Sequence, residues 1–94
     1  MQPAFQQLSP QEQARCVGRN LRAVRQQRNL TMVQLHQIMR ERDPTNAPVL
    51  SYIGDIERGE KNPTVQTVLT LAAALEVDPA DLFQMPSGET EQAA

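Results

Sequence analysis

The sequence predicts an all-α domain of five helices. Apolar residues recur every three or four positions in one segment after another, which is the period of an amphipathic helix. Residues with helix-capping chemistry precede these segments, and no alternating run of branched or aromatic residues is long enough for a strand. The 94 residues have room for one small domain. We divide the chain into an N-terminal extension, 1–9, a helical domain, 10–85, and a flexible polar tail, 86–94.

The first helix is predicted over about 10–28. Ser9 is its cap, Pro10 occupies the first helical position, where a missing N–H costs nothing, and Glu12 completes a capping box. Its apolar positions lie on a single stripe, formed by Ala14, Val17, Leu21 and Val24. This helix is therefore expected to pack on one side and to turn most of its arginines outward.

The second helix is predicted over about 32–41, because Thr31 and Gln34 repeat the capping box. Its apolar positions are Val33, Leu35, Ile38 and Met39. A loop follows over Arg42 to Asn46, since Pro44 keeps the residue before it out of the helical conformation.

The third helix is predicted to begin at Asn46, with Pro48 in its first turn, and to stop at Gly59, a left-handed cap position. Its inward face is Leu50, Ile53 and Ile56.

A fourth helix is predicted to begin at Pro63-Thr64, and Asp78-Pro79 opens a short fifth helix. The apolar stripe of the fourth helix comprises Val65, Val68, Leu69, Ala72 and Leu75.

Several functional classes are disfavoured by composition. One cysteine and one histidine provide neither an internal disulfide nor the ligands of a structural zinc. No apolar run is long enough to span a membrane and the N-terminus lacks a signal peptide, so a cytoplasmic location is expected. The chain has no glycine-rich phosphate loop and no nucleophile in a catalytic setting, so we expect neither an enzyme nor a cofactor.

Charge is distributed unevenly along the chain, although the net charge is -2. All 9 basic residues and five of the acidic ones lie between positions 15 and 62, which leaves that region with an excess of four positive charges. The remaining acids lie outside it. Such a dipolar molecule is able to orient on a polyanion, and a solvated charged face is the alternative interpretation.

Two segments resemble the XRE, or Cro/repressor, family of helix-turn-helix proteins. GRNLRAVRQQRNLT is similar to the family's opening, and IERGEKNPTVQTVLTLAAALEVDPADLF to its ending. The pattern is compound: Ile-Glu-Arg-Gly and Pro-Thr precede an apolar helix that ends Ala-Leu-x-Val, and Leu-Phe follows. The resemblance covers most of 17–83. It implies a lambda-repressor-like DNA-binding domain, with the helix-turn-helix at the second and third helices.

The resemblance also implies roles for individual residues. Arg25 on the first helix is expected to form a structural ion pair with Glu57 at the end of the third. The third helix is expected to lie in the major groove. Its base-reading positions would be Leu50, Ser51, Tyr52 and Asp55, with Tyr52 ranked first and Ser51 second. None of the four is Arg, Asn or Gln, the side chains that make the best-known base contacts.

Phosphate contacts are expected from the start of the second helix, from the connection after it and from the end of the third. The residues are Thr31, Met32, Arg40, Arg42, Arg58, Lys61 and Asn62. The family usually joins the two helices by a short turn, whereas this chain has the longer segment Arg40 to Asn46. Its arginines would contact the DNA backbone, or the segment is a surface loop in which Glu41 and Asp43 balance them.

The predicted function is that of a sequence-specific transcriptional regulator, a repressor that binds a pseudo-palindromic operator in double-stranded DNA as a homodimer. Its two recognition helices would be about 34 to 36 Å apart. By resemblance the dimer interface uses C-terminal apolar residues: Val77, Leu82, Phe83 and Met85. Two alternatives remain open. One is an antitoxin-like regulator that binds a protein partner, and the other is a weakly specific nucleoid-type DNA binder.

Overall fold

The computed structural model describes residues 4–85, and within this range every regular element is a helix and none is a strand. The elements are a 3₁₀ helix at Phe5–Gln7, α1 at Pro10–Gln27, α2 at Met32–Arg42, α3 at Leu50–Glu57, α4 at Val65–Leu75 and a 3₁₀ helix at Pro79–Phe83. The all-α prediction is confirmed. The predicted fifth helix is a 3₁₀ helix, and the predicted tail 86–94 lies outside the described residues.

Side-chain caps fix the beginnings of three α-helices where the sequence placed them. At α1, Ser9 Oγ accepts from the Glu12 amide at 3.1 Å, and the Ser9 amide donates to Glu12 Oε1 at 2.9 Å. Thr31 and Gln34 form the same reciprocal pair at α2. The hydroxyl of Thr64 caps α4. These hydrogen bonds are local in sequence, which is why the pattern of residue types was sufficient to predict them.

The prediction for the start of α3 was wrong. Asn46 donates from its backbone and side-chain nitrogens to the carboxylate of Asp43, so it closes a turn instead of capping a helix. The cap position belongs to Val49, which provides no side-chain hydrogen bond. Helix α2 also continues through Arg42, so Arg40 is helical and the connection between the helices is 43–49. We call this connection the 43–49 loop.

The core lies where the four α-helices and the C-terminal 3₁₀ helix meet. Helix α1 packs on α3, α2 packs on α3 and α4, and the C-terminal 3₁₀ helix packs on α1 and α4. The large side chains at its centre are fully buried: Val17, Leu21, Leu35, Met39, Ile53, Ile56, Leu71, Leu75 and Leu82. The position of α3 is therefore fixed from two sides, by α1 and by α2.

Three of the predicted apolar stripes were partly wrong. Leu50, which was predicted on the inward face of α3, is 36% exposed. Val33 of α2 and both Val65 and Leu69 of α4 are exposed, whereas Leu71, which the α4 stripe omitted, is fully buried. Helix α4 contains apolar residues on most of its circumference, so periodicity alone did not decide which side faces α2 and the C-terminal 3₁₀ helix.

The two ends of the described chain are held against the domain. Asn20 Nδ2 of α1 donates to the backbone oxygens of Leu82 at 3.0 Å and Gln84 at 2.8 Å. The rings of Phe5 and Phe83 meet edge to face, with centroids 5.3 Å apart. The described part of the N-terminal extension thus packs on the C-terminal 3₁₀ helix. Within 4–85, no helix combines the length and apolarity that a membrane span requires.

Candidate nucleic-acid interface

Helix α3 presents one side to the core and the other to solvent. Ile53, Gly54 and Ile56 are buried, while Ser51 is exposed and Leu50 retains 36% of its accessible surface. The exposed side includes the first turn of the helix. A short helix that is exposed along one side is available to enter a groove of DNA without rearrangement of the core.

The far end of α3 is anchored to α1 by the pair that the resemblance implied. Arg25 donates from Nε to Glu57 Oε2 at 2.6 Å and from Nη2 to Oε1 at 2.9 Å, a bidentate arrangement. Only 12% of the arginine side chain and 6% of the glutamate side chain are exposed. The hydrogen bond with Glu57 raises the pKa of Arg25 above its ordinary value, so the guanidinium group stays charged. Arg25 also donates to the Leu30 carbonyl, which connects α3 with the turn before α2.

Asp55, a predicted base-reading residue, is already engaged by two residues that were predicted to contact phosphate. Arg58 Nη2 donates to Asp55 Oδ1 at 2.6 Å, and Lys61 Nζ lies 3.8 Å from Oδ2. Arg58 is also paired with Glu60, whose hydrogen bond is the main cause that raises the pKa of Arg58. Asp55 is thus already paired within the chain, whereas Arg58 and Lys61 remain more than half exposed and keep further N–H donors.

Tyr52 is half-buried and packs against the core, although the sequence ranked it first for base reading. Its hydroxyl lies 3.4 Å from the Asn62 carbonyl oxygen. The side chain of Asn62, another expected phosphate contact, donates instead to the Pro10 carbonyl at 3.0 Å. Tyr52 therefore connects the segment after α3 to α3 itself, and Asn62 connects that segment to the start of α1.

The other expected phosphate contacts differ in availability. The amide of Thr31 donates to Gln34 Oε1, so the capping box uses it, and Met32 is half-buried. Arg42 donates to the Ala73 carbonyl in the last turn of α4. Arg40 is exposed and lines a shallow groove of about 300 Å³ beside the start of α3. Arg40 is thus the basic side chain best placed to accompany α3 into contact with DNA.

Arg28 and Arg42 both donate hydrogen bonds to backbone carbonyls at the C-terminal end of α4. Arg28 Nη2 donates to the Glu76 carbonyl at 3.2 Å, next to the contact between Arg42 and Ala73. Carbonyls at a helix C-terminus lack partners within the helix, and cations stabilise that end. These two arginines therefore link α1 and α2 to α4.

Sequence reasoning missed Val49. This side chain is 67% exposed and borders the same groove as Arg40 and Leu50. The prediction that α3 begins near Asn46 placed Val49 inside the helix, without a role. The combination of Pro48, which cannot donate a backbone hydrogen bond, and a β-branched residue directly after it was the signal for an extended segment before α3.

One predicted dimer residue was wrong. Leu82 is fully buried in the core of its own chain and is unable to contact a second copy. Val77 is half-buried against the core, Met85 is half-buried, and Phe83 stays partly exposed. The tertiary packing of the C-terminal 3₁₀ helix on α1 and α4 is the reason, since it turns Leu82 inward.

A different apolar surface lies next to Phe83. We call the exposed side chains of Val65, Leu69 and Phe83 the α4 apolar face. They line a groove of about 420 Å³ together with Phe5 and Pro79. No charged residue occurs within α4 or among the residues that line this groove. Its chemistry therefore differs from that of the surface around α3.

Helices α2 and α3, joined by the 43–49 loop and supported by α1 and α4, form a helix-turn-helix unit of the kind that binds DNA. A sequence model described as helix-turn-helix matches residues 50–82. The crystal structure of the restriction-modification controller protein C.AhdI from Aeromonas hydrophila is similar: it is 30% identical, the match covers 74% of this chain and 96% of that one, and the TM-score is 0.64. The comparison with curated proteins found no match.

The chain belongs to the XRE-type helix-turn-helix family of DNA-binding transcriptional regulators. The prediction of this family from the quoted motifs is confirmed.

Proposed function

We propose that this regulator is a repressor that binds a pseudo-palindromic operator as a homodimer, with α3 of each copy in the major groove. The observation that carries the proposal is the exposed first turn of α3 beside Arg40, on a helix that Arg25 and Glu57 hold in place. A fixed helix with an exposed turn provides base contacts, and an adjacent arginine provides a phosphate contact that sets its register.

The α4 apolar face supports the homodimer. Val65 is 76% exposed, and its neighbours Leu69 and Phe83 are exposed as well, although α4 carries no charge that would favour hydration or DNA. Contiguous exposed apolar surface is typical of protein interfaces. A second copy is the occupant that a twofold-symmetric operator requires, because an isologous interface brings the same patch of both chains together.

Repression would follow from the position of the operator. A dimer bound across a promoter occupies the surface that RNA polymerase needs, so no effector or additional domain is required for this outcome. The similar protein of known structure is a restriction-modification controller, and the proposed regulatory role is consistent with that description.

A selection from random duplex DNA tests operator binding. The enriched duplex and a scrambled control are titrated at two salt concentrations, with wild type, Ser51→Ala and Arg40→Ala. We expect an inverted repeat. Ser51→Ala should reduce the preference for the operator, while Arg40→Ala should weaken binding to both duplexes and lower the salt slope by about 1. Ser51 and Arg40 are exposed, so neither substitution is expected to disturb folding.

Other outcomes would overturn the proposal in identifiable ways. Equal, strongly salt-dependent binding to both duplexes would establish a nucleoid-type binder. Absence of DNA binding, together with formation of a complex with another protein, would establish a partner-binding regulator. For repression, a reporter gene with the operator across its promoter should lose expression when the protein is supplied, and an increase would establish an activator.

A further inference from the structure

Two exposed apolar side chains lie at the N-terminal end of α3. Val49 at the cap position is 67% exposed, and Leu50 at the first helical position is 36% exposed. Exposed apolar groups gain free energy when a partner removes them from water. In the operator complex proposed above, α3 lies in the major groove, so the floor of that groove is the surface that would cover these two side chains.

Polar neighbours along α3 are less available for base contacts. The carboxylate of Asp55 is paired with Arg58 and Lys61, and Tyr52 is half-buried with its hydroxyl toward the Asn62 carbonyl. Ser51 remains exposed. The exposed start of α3 therefore offers two apolar side chains, Val49 and Leu50, and one polar side chain, Ser51.

The 43–49 loop holds Val49 in place before DNA arrives. The Asp43 carboxylate accepts from the Asn46 side chain at 2.9 Å, and the Asp43 carbonyl accepts from the Ala47 amide at 3.0 Å. The rings of Pro44 and Pro48 restrict the backbone further. A segment that is already ordered loses little conformational entropy on binding.

From this geometry we propose that Val49 and Leu50 read the C5-methyl group of thymine. The methyl group is the apolar feature that a base pair displays in the major groove, and side chains such as these contact it without a hydrogen bond. This inference rests on the operator binding proposed above. It identifies thymine at the contacted position of each half-site as the base that the protein selects, and it explains how α3 discriminates without Arg, Asn or Gln.

The test replaces thymine by uracil, which removes only the methyl group, in the duplex obtained by selection. Wild type is expected to bind the thymine duplex about fourfold more tightly for each methyl in contact, the value for burial of one such group. The double variant Val49→Ser/Leu50→Ser should bind the two duplexes equally, because neither position then offers an apolar side chain to the methyl group. Both residues are partly or largely exposed, and circular dichroism verifies that the variant is folded.

One control variant and three possible outcomes separate this inference from the function on which it rests. Arg40→Ala should weaken binding to the thymine and uracil duplexes by the same factor, because a phosphate contact does not detect the methyl group. An enriched operator that wild type binds equally well with uracil would overturn the thymine assignment alone. So would a thymine preference that the double variant retains. A selection that enriches no sequence would overturn both proposals.

Discussion

Arg25 is the residue on which the orientation of α3 depends most directly. Its guanidinium group contacts Glu57 at the end of α3 and the Leu30 carbonyl in the turn before α2. One side chain therefore connects three segments of the helix-turn-helix. Because the pair is almost buried, each charge depends on the other for its solvation.

Removal of Arg25 should be strongly destabilising. Arg25→Ala leaves the Glu57 carboxylate buried without its partner, and we expect the free energy of unfolding to fall by about 3 kcal/mol or more. Urea denaturation measures the change. Arg22→Ala, at an exposed position of the same helix, is the matched control and should change stability by less than about 0.5 kcal/mol. Equal effects of the two substitutions would contradict a structural role for the ion pair.

The capping carboxylate of Glu12 should make stability depend on acid pH. Its hydrogen bond from the Ser9 amide is the main cause that lowers the pKa of Glu12 below its ordinary value. The folded chain therefore binds a proton at this site less readily than the unfolded chain does. The contribution is complete at neutral pH and is lost as the pH falls through the lowered pKa.

The isosteric variant Glu12→Gln provides the measurement, because it keeps a side chain that is able to cap but cannot ionise. In urea denaturation at a series of pH values, wild type should be the more stable protein at neutral pH, and its advantage should shrink toward acid pH. An advantage that stays constant would show that ionisation of Glu12 is not its source.

At the scale of helices, the start of a helix was predicted correctly where a nearby side chain caps it. The starts of α1 and α2 follow from Ser9 and Thr31, whose side chains bond to residues three positions away. The start of α3 has no such signal, since Val49 supplies no side-chain cap. Burial of Leu82 and exposure of Val65 depend on which helices pack together, and that is a tertiary property which periodicity does not contain.

In the predicted interface, too, some contacts were predictable from the sequence and others were not. The ion pair between Arg25 and Glu57 was expected by resemblance to a family rather than by spacing, and the structure brings the two residues together. The pairing of Asp55 with Arg58 was not predicted. The two residues are three positions apart, with Asp55 in α3 and Arg58 at its C-terminal cap. Opposite charges at this spacing often pair, and that pattern was a usable signal.

Close contact between α1 and α3 should make Gly18 intolerant of any side chain. A Cβ atom there would overlap the Ile56 carbonyl oxygen and lie 2.7 Å from that of Glu57, so the two helices would have to separate. We expect Gly18→Ala to lower the free energy of unfolding by about 2 kcal/mol or more, despite the higher helix propensity of alanine. Thermal and urea denaturation provide the measurement.

Gly54 is the matched control on α3. A Cβ atom at this position would meet the Arg58 Nη1 atom at 3.0 Å, the end of a side chain that is able to move. Since alanine is favoured over glycine inside a helix by about 1 kcal/mol, Gly54→Ala should be neutral or mildly stabilising. If Gly18→Ala were tolerated as well as Gly54→Ala, the close approach of the two helices would be disproved.

At the scale of the whole molecule, two exposed surfaces have different chemistry. The surface at the start of α3 combines Val49 and Leu50 with Arg40, whereas the α4 apolar face contains no charge. This separation suits a protein that binds a polyanion on one surface and a copy of itself on another. The net charge of -2 does not oppose DNA binding, because all 9 basic residues lie within 15–62, where they outnumber the acidic ones.

A charge on the α4 apolar face should dissociate the proposed dimer. Val65→Glu places a carboxylate at a position that is already 76% exposed, so the fold should remain intact while the buried interface becomes unfavourable. Sedimentation equilibrium should then report the mass of one chain. Val33→Glu makes the same change at an exposed position of α2 and should leave the dimer unaffected. A dimer that persists in Val65→Glu would place the interface elsewhere.

The 43–49 loop has a consequence for how related regulators diverge. It is closed by the turn between Asp43 and Asn46, and it reaches the core through Ala47, while Thr45 and Val49 are exposed. Mutations at its exposed positions therefore cost little stability but alter the surface next to α3. Under the proposed thymine contact, substitution of Val49 in one of two duplicated copies would change the base that this copy prefers, and so reduce cross-talk between the copies within one cell.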